Sequence, residues 1–265
     1  MISPTWDPAL YLSFADERAR PFADLVSRIA MPAPARVVDL GCGPGNVTAT
    51  LLDRWPQARV LGIDSSPEMI GEAAALARPG LDFARGDIET WRPEAPVDVI
   101  VSNAALQWVP SHVDLLAGWV EALAPGGALA FQVPANAGGG AAHVFRTVAR
   151  GPRFADRLTA IADSGRPSAS GGIVRPAGEY VDVLAGLGCR VDAWDTTYQH
   201  VLPGDDPVLG WYEGTGLRPY LQALDADRRE EFRAEVAAGL RTAFPRRPYG
   251  TVLPFTRTFV IAYRG

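Results

Sequence analysis

Three closely spaced glycines form the chain's most informative chemical motif. Gly41, Gly43 and Gly45 directly follow the apolar segment Arg36–Leu40. Glycines at this spacing let a backbone turn tightly and approach a ligand without Cβ clashes. Because the next position is Asn46, the spacing is GxGxG and differs from the GxGxxG of nicotinamide dinucleotide sites. The motif therefore indicates a ligand-binding turn of another class.

Acidic residues accompany this loop at the ends of predicted strands. Asp39 precedes it, Asp64 ends the second strand, and Asp87 follows the third, beside Ile88. Asp64 can accept hydrogen bonds from both hydroxyls of a ribose, as acids do at this position in doubly wound folds. Asp87 can accept a hydrogen bond from an exocyclic amine while Ile88 packs on a flat ring. Singly, these acids are equally explained as turn or cap residues. Together they favour a cationic nucleoside, and S-adenosylmethionine fits.

Every one of the 25 basic residues is an arginine, because the sequence contains no lysine. This excludes a P-loop lysine, a Schiff base and a Tyr-Lys dehydrogenase pair. Each fixed cation is a guanidinium, which favours planar recognition of carboxylate or phosphate. The sequence thus predicts that a small anionic substrate would be bound by arginine.

The overall composition excludes further classes of partner and site. The net charge of −5 argues against a nucleic-acid partner. Cys42 and Cys189 lie far apart and the three histidines are scattered, so no disulfide or metal site is predicted. The N-terminus lacks a basic region with a long apolar run, and no stretch approaches the ~20 apolar residues of a membrane span. We therefore expect a cytoplasmic protein with a small-molecule substrate. The sequence does not indicate an oligomeric state.

Alternating apolar runs and helical stretches predict βαβ units and an α/β fold with a parallel sheet. Residues 134–175 are predicted as irregular, 205–247 as a helical insertion, and Ser66 as a helix cap before a first-turn proline. The predicted strands are Arg36–Leu40, Arg59–Ile63, Leu81–Ala84, Val97–Ser102, Ala128–Val133, Arg190–Val201 and Thr251–Tyr263. The predicted helices cover about Asn46–Trp55, Ser66–Ala77, His112–Leu123, Pro176–Leu187, Pro207–Gly214 and Ala226–Ala243.

With these features the sequence resembles class I S-adenosylmethionine-dependent methyltransferases, and within them the trans-aconitate 2-methyltransferase family. The resemblance runs over nearly the whole chain. Its motifs are Trp6-Asp7-Pro8-Ala9-Leu10-Tyr11, Glu17-Arg18-Ala19-Arg20-Pro21, the loop 37–46, Gly62-Ile63-Asp64-Ser65-Ser66-Pro67-Glu68-Met69-Ile70, Ser102-Asn103-Ala104-Ala105-Leu106-Gln107-Trp108, Gln132-Val133-Pro134, Thr197-Tyr198-Gln199-His200 and Thr215-Gly216-Leu217-Arg218-Pro219-Tyr220-Leu221.

The resemblance implies a Rossmann-like seven-stranded sheet with an antiparallel last strand and a helical cap inserted before it. One domain, 1–265, would have a core of about 30–135, 176–201 and 251–265. Its cap would comprise 1–29, 136–175 and 202–250. The implied reaction is methyl-ester formation on a small polycarboxylate such as trans-aconitate.

Site residues follow from these motifs. Gln107 and Trp108 are predicted at the boundary of cofactor and substrate, Arg218 as a carboxylate clamp and Tyr198 as a neutral donor. Arg20, Arg257 and His200 are lesser candidates. The predicted cofactor-binding residues are Tyr11 (as an N-terminal lid), Asp39, Gly41, Gly43, Gly45, Asp64, Ser65, Met69, Asp87, Ile88 and Asn103.

The acceptor leaves an alternative open. A carboxylate, with a pKa of about 4, is ionised at neutral pH and needs no general base. However, 135–143 departs from the family pattern by losing bulky and acidic side chains. A natural-product O-, N- or C-methyltransferase is therefore the second interpretation, with His143 or His200 as base for a phenol. A non-catalytic cofactor-binding protein is the third.

Overall fold

The fold is a seven-stranded sheet in the order β3-β2-β1-β4-β5-β7-β6. A computed structural model describes residues 15–136, 139–163 and 174–265. Within those residues, no helix is long and apolar enough to cross a membrane. The strands are β1 Arg36–Leu40, β2 Arg59–Asp64, β3 Leu81–Arg85, β4 Val97–Asn103, β5 Leu123–Pro134, β6 Cys189–Leu202 and β7 Thr251–Arg264.

Helices connect most of these strands. Short 3-10 helices cover Thr48–Thr50, Ala74–Leu76 and Leu106–Trp108. The α-helices are α1 Ala15–Ser27, α2 Leu51–Arg54, α3 Pro67–Ala73, α4 His112–Ala122, α5 Gly140–Ala149, α6 Ala155–Asp163, α7 Ala177–Gly186, α8 Pro207–Glu213, α9 Arg218–Gln222 and α10 Ala226–Ala243. The last three confirm the predicted helical insertion before the closing strand.

The α/β fold class is confirmed. The four strand pairs from β3 to β5 are parallel. Parallel strands place their carboxyl ends at one edge of a sheet, where α/β proteins bind ligands. The strand β5 starts earlier than predicted, at Leu123, with a register shift where it pairs with Val97–Val99. The residues expected to carry chemistry thus follow adjacent strand ends.

Two secondary-structure predictions are wrong. The predicted helix Asn46–Trp55 is replaced by a 3-10 turn and the four-residue α2. Its β-branched threonines have restricted rotamers in a helix, which weakens helix formation there. Residues 140–163, predicted as irregular, contain α5 and α6. Buried Ala141, Val144 and Phe145 give α5 a helical apolar stripe that packs against α10.

The chain forms two compact units. Unit 1 comprises Met1–Val133, Arg175–Asp195 and Thr258–Gly265, and unit 2 comprises Pro134–Val174 and Thr196–Arg257. The helix α1 belongs to unit 1, whereas the sequence assigned residues 1–29 to a cap. Strands β1 and β4 form the centre of unit 1, and buried aliphatic residues run along both, as in parallel strands covered on two faces.

Candidate active site

The glycine loop of unit 1 has a left-handed backbone that suits glycine. Gly41, Gly43 and Gly45 all have positive φ, at 80°, 56° and 78°. A Cβ at Gly41 would lie 2.3 Å from the Cβ of Ala105, and one at Gly45 would lie 2.7 Å from the Phe83 ring. A Cβ at Gly43 would meet no atom within 4 Å. Two glycines therefore serve packing, while Gly43 borders open space.

Asp64 holds this loop in place. Its Oδ2 accepts a hydrogen bond from the backbone N–H of Gly43 at 2.9 Å, and its Oδ1 accepts from that of Ser66 at 2.9 Å. The cap of α3 is Ser66, as predicted, since its Oγ accepts from the N–H of Met69 at 3.2 Å. A carboxylate offers about four acceptor positions. Asp64 therefore fixes the loop and retains acceptor capacity for a ligand.

Asp39 is the one buried acid among the residues that the structure describes. Its Oδ2 accepts a hydrogen bond from the Thr48 hydroxyl at 2.6 Å, while Oδ1 receives none from the described part of the chain. Burial raises the pKa of Asp39 to about 7, the Thr48 hydrogen bond opposes this, and the charge of Asp64 adds to it. An acceptor atom therefore lies buried directly before the glycine loop.

Asp87 and Ile88 form the turn after β3. Asp87 is exposed, and its Oδ1 accepts from the N–H of Glu89 at 2.9 Å. Ile88 is buried, and its Cδ1 would lie 3.3 Å from a Cβ at Gly41. The structure thus brings the apolar Ile88 to the glycine loop. The Asp87 hydrogen bond is the one expected for a turn residue, and it leaves the second carboxylate oxygen for another donor.

The end of β4 carries a strained segment. Ala104 has a φ of 52°, a left-handed conformation that side chains disfavour. Gln107 donates from Nε2 to the Ala104 carbonyl at 2.6 Å, and its buried Oε1 receives no hydrogen bond from any described residue. Asn103 Oδ1 accepts from Gln132 Nε2. Such strain is concentrated at functional sites in proteins, so this segment is a candidate for ligand contact.

These observations fit S-adenosylmethionine. Gly43 leaves open space beside a loop that Asp64 fixes. Asp39 and Gln107 each present a buried oxygen without a hydrogen-bond donor among the described residues. A ligand with an ammonium group, a sulfonium and hydroxyls supplies the donors and positive charge that such oxygens lack. No group of histidine, cysteine and acidic residues in the described chain could hold a metal ion.

The remaining cofactor candidates have different environments. Met69 is buried at the start of α3, Ser65 is exposed, and Trp108 is half-buried in its 3-10 turn. Tyr11 lies outside the described residues, so its predicted lid role stays a prediction.

The predicted acceptor residues lie mostly in unit 2. Tyr198 and His200 are buried on β6, and their rings stack with centroids 6.0 Å apart. Arg218 is half-buried at the start of α9, where its backbone N–H donates a hydrogen bond to the Thr215 carbonyl. His143, the base candidate for a phenol acceptor, is exposed on α5.

Two lesser candidates differ sharply in burial. Arg20, on α1 of unit 1, is exposed. Arg257, on β7 of unit 2, is buried and stacks its guanidinium over the Phe255 ring with Cζ 4.6 Å from the centroid. Burial therefore distinguishes Arg257 from Arg20, although the sequence predicts both only as lesser candidates.

Comparison with known proteins gives the family. Residues 37–127 match a methyltransferase domain model. Trans-aconitate 2-methyltransferase of Streptomyces avermitilis is 51% identical, over 98% of this chain and 97% of that protein. The Mycobacterium tuberculosis protein of that name is 44% identical, over 98% and 97%. The chain belongs to the trans-aconitate 2-methyltransferase family.

Solved structures confirm the fold of this family member. An S-adenosylmethionine-dependent methyltransferase from Mesorhizobium loti is 20% identical, with a TM-score of 0.51 over 94% of this chain and 99% of that one. Haemonchus contortus phosphoethanolamine N-methyltransferase 2, in complex with S-adenosyl-L-methionine, is 13% identical, with a TM-score of 0.56 over 92% and 52%.

One hydrogen-bonded network of this methyltransferase was missed by the sequence analysis. His112 is buried at the start of α4, directly after the Leu106–Trp108 turn. Its Nδ1 lies 2.8 Å from the Val109 carbonyl and its Nε2 lies 2.8 Å from the Tyr180 hydroxyl. Because a carbonyl only accepts, Nδ1 carries the proton and Nε2 accepts from Tyr180. Desolvation lowers the pKa of His112, which favours the neutral ring.

Proposed function

We propose that this chain transfers the methyl group of S-adenosylmethionine to a carboxylate of trans-aconitate and so forms a methyl ester. The observation that carries the proposal is the left-handed glycine loop, held by Asp64 with open space at Gly43, in a chain of this family. The trans-aconitate relatives cover 98% of the chain, which supports the acceptor as well as the cofactor.

Unit 1 would bind the cofactor. In the proposal, Asp64 accepts from the ribose hydroxyls with the acceptor positions that its two backbone contacts leave, Asp87 accepts from the adenine amine, and Ile88 packs on the adenine ring. The buried oxygens of Asp39 and Gln107 attract the positively charged part of the cofactor. When bound, S-adenosylmethionine supplies a methyl group on a positively charged sulfur.

Unit 2 would bind the acceptor. Arg218 is half-buried, and a guanidinium binds a carboxylate through two parallel hydrogen bonds. Such a pair on the attacking oxygen would withdraw its electron density. Arg218 is therefore proposed to hold a carboxylate that does not react, while neutral donors such as Tyr198 orient the reacting one.

The chemistry demands positioning rather than proton transfer. A carboxylate with a pKa of about 4 is already ionised at neutral pH, so no side chain has to remove a proton. Holding the reacting atoms about 3–3.5 Å apart can supply much of the rate enhancement. His112 agrees with this, because both of its ring nitrogens already have partners, the Val109 carbonyl and the Tyr180 hydroxyl.

The experiment compares two variants in steady-state kinetics with trans-aconitate. Asp64→Ala removes the acceptor for the Gly43 N–H and should weaken S-adenosylhomocysteine binding by at least about tenfold, or 1.4 kcal/mol. Arg218→Ala should raise KM for trans-aconitate and leave S-adenosylhomocysteine binding unchanged. If Arg218→Ala has the wild-type KM, the clamp assignment is wrong. Products from phenols but none from trans-aconitate, citrate or isocitrate would favour the natural-product alternative.

A further inference from the structure

The side-chain amide of Gln107 has a fixed orientation in unit 1. Gln107 lies in the 3-10 helix Leu106–Trp108 and is buried, with 5% of its surface exposed. Its Nε2 donates a hydrogen bond to the Ala104 carbonyl at 2.6 Å. Because a carbonyl oxygen only accepts, the nitrogen of the amide must face Ala104, and this fixes the direction of the amide oxygen. That oxygen, Oε1, is buried and receives no hydrogen bond from any described residue.

The segment that carries this amide packs on the glycine loop. Strands β1 and β4 pair in parallel, so the segments that follow them leave the same edge of the sheet. The two segments are in direct contact, because a Cβ at Gly41 would lie only 2.3 Å from the Cβ of Ala105. The open space at Gly43 belongs to the same loop. A ligand bound on this loop therefore borders the segment that carries Gln107.

A buried oxygen without a donor attracts positive charge, and S-adenosylmethionine has two positively charged groups. Its ammonium has three N–H donors and pairs best with a charged acceptor, such as the buried carboxylate of Asp39. Its sulfonium has no N–H, so it is attracted to the negative end of a dipole and through C–H···O contacts. The amide oxygen of Gln107 is uncharged. It therefore neither repels an anionic acceptor nor competes with it as a nucleophile for the methyl group.

We infer that Gln107 Oε1 faces the sulfonium of S-adenosylmethionine and so makes the protein distinguish the cofactor from its product, S-adenosylhomocysteine. The inference rests on the methyl transfer of the proposed function, which converts the sulfonium into a neutral thioether. Before transfer, the positive charge is paired with Oε1. After transfer, this buried oxygen again lacks a partner, which costs free energy. Gln107 thereby favours binding of the charged cofactor and release of the product, and it determines specificity between the two.

The test measures the affinity of Gln107→Met for both ligands by calorimetry, without an acceptor. Methionine keeps an unbranched side chain and removes the amide dipole. The Kd for S-adenosylmethionine should rise at least about tenfold, whereas the Kd for S-adenosylhomocysteine should change by no more than about threefold. A structural disturbance, such as loss of the hydrogen bond to Ala104, would weaken both ligands by the same factor. An equal change for both ligands, or wild-type affinity for both, would overturn the inference.

Two further variants complete the comparison. Gln107→Asn keeps the amide but shortens the side chain by one methylene, so it should show the same selectivity with a smaller loss. If Gln107→Met does not fold, Gln107→Asn decides, and an equal change for both ligands, or no change, again overturns the inference. Gln57→Met makes the same substitution at an exposed glutamine of unit 1 and should bind both ligands as the wild type does. The same selective loss in Gln57→Met would contradict a specific role of Gln107.

Methyl transfer to trans-aconitate, measured on the same wild-type sample, distinguishes failure of this inference from failure of the proposed function. Equal changes in both affinities, with a methyl ester formed by the wild type, would overturn the inference and leave the proposed function standing. A selective loss of S-adenosylmethionine affinity, in a protein whose wild type methylates no polycarboxylate, would support the inference and overturn the proposed acceptor. If the wild type binds neither ligand, both fail.

Discussion

Replacing Gly43 by alanine tests the cofactor loop most sharply. The new Cβ would meet no atom within 4 Å of the described structure, so the folded protein has room for it. The cost to stability comes from the left-handed backbone, with φ at 56°, which costs about 1–2 kcal/mol in a residue with a side chain. In a chain of this size, that lowers Tm by roughly 2–8 °C.

The substitution should also weaken cofactor binding, and this effect is separate from the loss of stability. The Gly43 N–H donates to Asp64 Oδ2 at 2.9 Å, so the loop cannot retreat without losing a hydrogen bond to a charged group, worth about 1.5–3 kcal/mol. If the loop stays, the Cβ occupies space that the cofactor needs, and such overpacking costs about 1–3 kcal/mol. Either way the Kd for S-adenosylhomocysteine should rise about 5- to 150-fold.

Gly188→Ala is the matched control. Gly188 also lies in unit 1, has a φ of 80°, and offers open space to a Cβ, but it follows α7, outside the loop. The two variants should lose similar stability in thermal denaturation, and calorimetry should show weaker binding only for Gly43→Ala. Wild-type affinity in a folded Gly43→Ala protein would refute the assignment of this loop.

Further predictions concern the buried polar groups of unit 1. Asp39 has a folded-state pKa of about 7, above its ordinary value of 3.8, so wild-type stability should fall as pH rises between these values. Relative to the wild type, the free energy of unfolding of Asp39→Asn should rise by about 1.4 kcal/mol per pH unit in this range. A difference between the two proteins that does not change with pH in denaturant unfolding would contradict this. Tyr180→Phe removes the donor to His112 Nε2 and should cost about 1–3 kcal/mol. In the same unfolding measurement, Tyr249→Phe, at a tyrosine that is 61% exposed, should cost little, and equal costs would show that the His112 contact contributes nothing.

The sequence predicts the local parts of this site well, because they depend on residues close together in the chain. Strand ends followed by acids, a glycine loop and a Ser66 cap are patterns of a few residues, and alternating strands and helices are enough to predict parallel strands. The left-handed backbone of Ala104 and the buried Oε1 of Gln107 cannot be predicted from such local patterns, because they depend on how the end of β4 packs.

Contacts between distant segments limit what the sequence can predict. The hydrogen bond between Gln132 and Asn103 and the one between His112 and Tyr180 join residues far apart in the chain. Arg257 stacks on Phe255 of its own strand, and Phe255 in turn packs against Trp211 of α8. In a chain with 25 arginines, residue type alone does not separate a buried guanidinium from the surface ones.

The most direct test of the proposed function is a methyl-transfer assay with methyl-labelled S-adenosylmethionine and trans-aconitate. The proposal predicts one labelled methyl group per acceptor, released as methanol by mild alkali, as an ester requires. Methyl transfer to trans-aconitate that resists alkali would contradict ester formation. Absence of any product at millimolar trans-aconitate, with S-adenosylmethionine bound by the same protein sample, would contradict the acceptor.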